Sequence, residues 1–119
     1  MRLVSAVLTI FCAITIGGMC EAQPLTCKTG PITKTYGGTN WLIYSCSDNQ
    51  SLALVSEPNS PASPFVFFFQ RTDDGQYRIS GEGTGSRSAT DAAFKELSAL
   101  SQLEIEAILA ATHSQKGPL

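Results

Sequence analysis

Histidine is almost absent from this chain, with His113 near the C-terminal end as the sole example. A lone imidazole in that place leaves no Ser-His-Asp or Cys-His arrangement that is easily assembled. Cysteine is scarce too, and two of the four, Cys12 and Cys20, fall in the first 22 residues. Basic residues are few: eight Lys and Arg stand singly against ten acids, for a net charge of −2. That excludes the electrostatic footprint of a nucleic-acid binder. No run of like charge marks an interaction tail. Long apolar runs are also missing, since the longest, Leu3 to Ile16, would span only about 21 Å as a helix against a hydrocarbon core of ~30 Å. What remains is ordinary globular composition, which argues against wholesale disorder, in 119 residues that suffice for one small domain.

That N-terminal apolar run has its own logic. Arg2 supplies a positive start, Leu3 to Ile16 carries no charge, Gly17-Gly18 breaks it, and Cys20-Glu21-Ala22 places small residues around a cut after Ala22. Residues 1–22 therefore read as a secretory signal. An uncleaved anchor is the alternative. A lipid-modified cysteine would need a small residue before it, whereas Met19 precedes Cys20 and Phe11 precedes Cys12. The expectation is a periplasmic or secreted mature chain of about 97 residues that does not span the membrane. Cys27 and Cys46 then remain, and in an oxidising compartment they most simply form a disulfide. With only one distant His113 they make no zinc spacing, so neither metal nor cofactor is expected.

The mature chain divides into strands and then helices. Gln23 to Gly38 suggests two short strands, around Leu25 to Thr29 and around Ile32 to Tyr36. Trp41-Leu42-Ile43-Tyr44 has strand content, Ser47 to Gln50 has turn chemistry, and Ser51 to Ser56 forms the return strand. Asn49-Gln50-Ser51 also makes a glycosylation sequon on that turn, which matters only in a eukaryotic source. Pro58, Pro61 and Pro64 suit a stiff polyproline-II connector, with a Pro-rich recognition ligand as the functional alternative. Phe65 to Gln70 is apolar at alternate and intervening positions, as in a strand buried on both faces; an exposed aromatic binding face is the other reading. Thr72-Asp73-Asp74-Gly75 signals a hairpin, and Tyr77 to Ser80 a half-exposed strand.

Two helix starts follow: Ser88 with Asp91 resembles a capping box, and Ser101 with Glu104 is a full one. Ala93, Leu97 and Leu100 fall on one face, and so do Ile105, Ile108, Leu109 and Thr112. The bend between them lies at Ser98 to Ser101, and His113 to Leu119 reads as a flexible tail. The fold expected is α+β over residues 23–112: a small antiparallel β-meander followed by two short C-terminal helices packed on one face.

The stretch most open to a functional reading joins the two halves. Gly81-Glu82-Gly83-Thr84-Gly85-Ser86-Arg87 leads from a strand into a helix, where backbone N–H groups and the helix N-terminus favour anions and Arg87 could assist. It matches neither phosphate-loop pattern, and Glu82 would repel a phosphate. A glycine hinge and a protein contact are the alternatives. Asp73, Asp74 and Glu82 could pair as acid and base, but two of them sit in a turn and read as solvated.

Taken together, Tyr44-Ser45-Cys46-Ser47-Asp48, Ser60 to Phe65, Tyr77, Gly81 to Gly85 and Ala89 to Ala93 resemble a group of small uncharacterised exported proteins of Gram-negative bacteria. The likeness covers about Cys27 to Thr112 and implies a periplasmic location. A second likeness, carried by Tyr44-x-Cys46, the following hairpin and Ser80-Gly81-Glu82-Gly83, is to the periplasmic inhibitors of C-type lysozyme. That family is an all-β barrel, and the resemblance implies that Ser80 to Gly83 enters the enzyme's cleft. The expectation is thus a non-enzymatic binding or envelope-accessory module with a protein partner, or an inhibitor of a cell-wall lytic enzyme.

Overall fold

The structure, a computed structural model, describes residues 25–114. The expected signal segment with Cys12 and Cys20, and the last five residues of the expected tail, lie outside the described residues. Five strands, β1 (Cys27–Tyr36), β2 (Thr39–Cys46), β3 (Leu52–Ser56), β4 (Phe65–Arg71) and β5 (Tyr77–Gly83), form one sheet in chain order. Every neighbouring pair is antiparallel. Two helices follow, α1 (Arg87–Ser98) and α2 (Gln102–Ser114), so the α+β meander expected from the sequence is the fold observed. No described helix is long and apolar enough to cross a membrane.

The two short strands expected at the start are one strand. β1 runs through Gly30-Pro31, but its register with β2 shifts between Cys27 and Thr29 and again between Thr29 and Ile32. A proline gives no N–H to a ladder, so it is accommodated at an irregularity on this edge strand. Cys27 lies opposite Cys46 in the register, and the two form the disulfide.

The β2–β3 turn is built by Asp48. Its Oδ1 accepts from the Gln50 and Ser51 N–H groups at 3.0 and 2.8 Å, and its Oδ2 from the Ser51 hydroxyl at 2.6 Å. Partial burial works to raise the Asp48 pKa, but these hydrogen bonds outweigh it and hold the carboxyl below its usual range.

The core lies between one face of the sheet and the helices. Trp41, Ile43, Leu52, Leu54, Phe67 and Phe69 alternate along their strands onto that face, and Ala93, Leu97, Ile105 and Ile108 close over them. Trp41 is wholly buried, its ring 5.1 Å from Phe67 and its Nε1–H donating to the Tyr36 carbonyl at 3.1 Å. Glu96 ties α1 to the β1–β2 turn by accepting the Gly37 N–H at 2.9 Å.

Ser101 and Glu104 form the reciprocal capping box, at 2.8 and 3.1 Å. The Ser88 box does not form. α1 starts earlier, with Ser86 at the N-cap, its N–H held by the Pro61 carbonyl; there is no side-chain cap bond, and the Ser86 and Ser88 hydroxyls lie 3.0 Å apart instead. His113 belongs to α2 rather than to a tail, its Nδ1 3.0 Å from the Leu109 carbonyl oxygen.

The phenylalanine strand is not buried on both faces. Phe67 and Phe69 are inside, but Val66 and Phe68 point to the other side and are only half-buried.

Candidate functional site

The proline segment and the glycine segment, read separately in the sequence, are bound to each other in the fold. Glu57 to Pro64 is not a polyproline-II rod but two successive turns, closed by Ser60 N–H to Glu57 O and Ser63 N–H to Ser60 O, both at 3.0 Å. Those bonds bring local carbonyls inward, which an extended rod could not do. The Ser56 hydroxyl accepts the Phe65 N–H at 3.0 Å and anchors the loop's end to β3. Ala62 is fully buried at the centre.

Against this loop lies the joint between β5 and α1. Thr84 and Gly85 both donate their N–H to the Pro64 carbonyl, at 3.0 and 3.2 Å, and Ser86 donates to Pro61 O at 2.9 Å. Gly81 and Gly83 are still strand residues, paired with Phe67 and Phe65. Gly83 has φ of +148°, a left-handed conformation that side chains disfavour, and a Cβ on Gly85 would collide with the Ala62 backbone. These glycines therefore let two backbones approach.

This arrangement bears on each reading of Gly81 to Arg87. The N–H groups of Thr84, Gly85 and Ser86 are already donated to carbonyls, so they do not converge on a solvent site. Arg87 turns along its own helix, its Nε 3.8 Å from Asp91 Oδ1 in an exposed pair. What the segment does offer is a wall. Glu82, Gly83 and Thr84 line an open groove of about 780 Å³ together with Pro58, Pro64, Val55, Val66 and Phe65. That volume is within the range of ligand sites, roughly 300–1,000 Å³. Glu82 is its only charged lining residue, and it lies at the rim.

Sequence reasoning found Glu82, Gly83 and Thr84 but missed Val55, Pro58, Pro64 and Val66 as parts of the same place. They come from three segments, and only the strand register brings them together. A smaller groove of about 370 Å³ runs between β1 and α2, lined by Ile32, Tyr36, Leu100 and Ala107 among others. There burial, then the carboxylates of Glu104 and Glu96, push the Tyr36 phenol above its usual pKa. Asp74 is confined to its own turn, where hydrogen bonds from the Thr72 hydroxyl and the Gln76 N–H hold its carboxyl low. Asp73, Asp74 and Glu82 do not gather into one site: two are in the β4–β5 turn and Glu82 is at the strand's far end.

Comparison with known proteins adds no identity: no family model, curated protein or solved structure matches the chain.

Proposed function

We propose that this chain is a small extracytoplasmic, non-enzymatic binding module. Its groove at the glycine joint takes an extended apolar segment of a protein partner. The observation that carries this reading is the composition of the groove: valine, proline and Phe65 side chains around an open channel, with a few hydroxyls (Ser56, Ser63, Thr84) and a single carboxylate, Glu82. Such a lining favours an apolar segment with a cationic residue near the Glu82 end. The disulfide and the lack of a long apolar helix among the described residues are compatible with a module that works outside the cytoplasm.

The test is cross-linking capture of a partner from the native cell envelope by the oxidised protein, beside a Thr84→Arg variant of equal thermal midpoint. Thr84 is exposed and lines the groove, so a long side chain there fills the channel without touching the glycine contacts. A partner held by the parent and lost by Thr84→Arg is the expected result. A partner held equally by both removes the groove from the reading.

Exposure of Ser80 to Gly83 on an edge strand favours a second reading, inhibition of a cell-wall lytic enzyme. The segment is strand rather than a free loop, and the fold is not an all-β barrel, so this reading has less support. Unchanged lysozyme turnover in excess protein disposes of it.

A further inference from the structure

The helices cover one face of the sheet; among the described residues no helix or second sheet covers the other, and only the 57–64 loop borders it, at the Val55–Val66 end. Alternation puts Leu42 and Tyr44 of β2, Val55 of β3, and Val66 and Phe68 of β4 on that open face. The register makes them neighbours: Leu42 pairs with Val55, Val55 with Val66, and Ala53 lies between Tyr44 and Phe68. Val55 is 37% exposed and the other four are half-buried. An antiparallel sheet with a solvated face ordinarily places polar residues there. A contiguous apolar patch across three central strands instead marks an interaction surface.

The charges bordering the patch identify its occupant. On β5, Arg78, Ser80 and Glu82 share the open face, pairing with Gln70, Phe68 and Val66. All three are exposed, and neither Arg78 nor Glu82 makes an ion pair among the described residues. The two charges are opposite in sign and equidistant from the Phe68–Ser80 row.

We propose that this face docks a second copy of the same chain, face to face, about a two-fold axis crossing the strands at that row. Rotation by half a turn sets Phe68 on its symmetry mate. It also lays Arg78 of each copy beside Glu82 of the other, giving two reciprocal ion pairs from one pair of residues. Isologous contact demands this self-complementarity, and sheets stacked about 10 Å apart within ~30° of alignment leave both long side chains within reach. The dimer goes beyond the groove reading and does not depend on it, although both use Val55, Val66 and Glu82 and would compete for them.

Sedimentation equilibrium of the oxidised protein, expressed from residues 1–119 and purified without detergent, tests the dimer. A concentration-dependent monomer–dimer equilibrium is expected. Glu82→Arg alone and Arg78→Glu alone each place like charges together and should raise the dimer dissociation constant at least ~10-fold. Mixing the two variants restores association, because each then supplies the charge the other needs. The double reversal also restores it. Phe68→Glu abolishes it, with thermal midpoints checked for all variants.

A protein that stays monomeric throughout overturns the proposal. So does a dimer that both single reversals leave intact, which would lie on another surface. Weakened single variants that fail to recover on mixing overturn the two-fold arrangement.

Discussion

The two faces of the sheet carry similar side chains and meet different fates. On one, Trp41, Ile43, Leu54, Phe67 and Phe69 are sealed beneath α1 and α2. On the other, Leu42, Tyr44, Val55, Val66 and Phe68 come from the same strands and remain partly in water. Hydrophobicity of a strand residue therefore does not decide its burial here; the helices do. The face they cover is the one on which the aromatic rings interlock, with Trp41, Phe65 and Phe67 within 6.4 Å of one another. The open face has fewer rings and more β-branched side chains, and its edge strands supply threonines and charges.

The largest test of this contrast is a pair of neighbouring truncations. Phe67→Ala should cost about 3–5 kcal/mol, as for a fully buried aromatic. Phe68→Ala, measured by urea unfolding in dilute solution, should cost about 1–2 kcal/mol, since part of its surface stays in water. Equal losses would mean that something covers the open face in solution.

Replacing both Cys27 and Cys46 by Ser should cost roughly 3 kcal/mol for a loop of this length. The disulfide joins β1 to β2 across their ends, so its loss should leave the Phe67–Phe68 difference intact. A smaller contrast lies at the end of the sheet. Gly85→Ala, which drives a methyl into the Ala62 backbone, should cost about 1–3 kcal/mol, while Thr84→Ala on the rim stays within ~0.5 kcal/mol.

The smallest effect is at Asp48. Its folded pKa lies below the unfolded value of ~4, so its stabilisation is complete above that value and lost as pH falls through the lower folded one. Asp48→Asn should remove about 1 kcal/mol at neutral pH and flatten that part of the acid limb, read as urea midpoints between about pH 6 and about pH 2.

Much of this architecture is legible in the sequence because the local signals are strong. Trp41 to Tyr44, the Asp48 turn and the Ser101–Glu104 box each specify their structure within a few residues. The pairing of Cys27 with Cys46 is the expectation for an exported chain left with two cysteines, and the register sets the two opposite each other. The misreadings share a cause, which is contact between distant segments. Ser86 rather than Ser88 starts α1 because the Pro61 carbonyl holds it. The proline loop turns rather than extends because Thr84 and Gly85 bond its Pro64 carbonyl. Val66 and Phe68 are open because the helices occupy only the opposite face. The candidate groove was half legible: a glycine-rich stretch announces close backbone approach, but not which backbone it approaches.

The order of the elements along the chain has a temporal meaning. Each strand pairs with the one before it, so the sheet can assemble progressively as the chain emerges N-terminus first, with the short-range closures that favour rapid folding. The helices come last. Until α1 and α2 arrive, the nascent sheet presents aromatic and aliphatic side chains on both sides. A chain stopped just after Gly83 would therefore be a sticky two-sided ribbon. The two helices thus remove one of those two apolar sides from water.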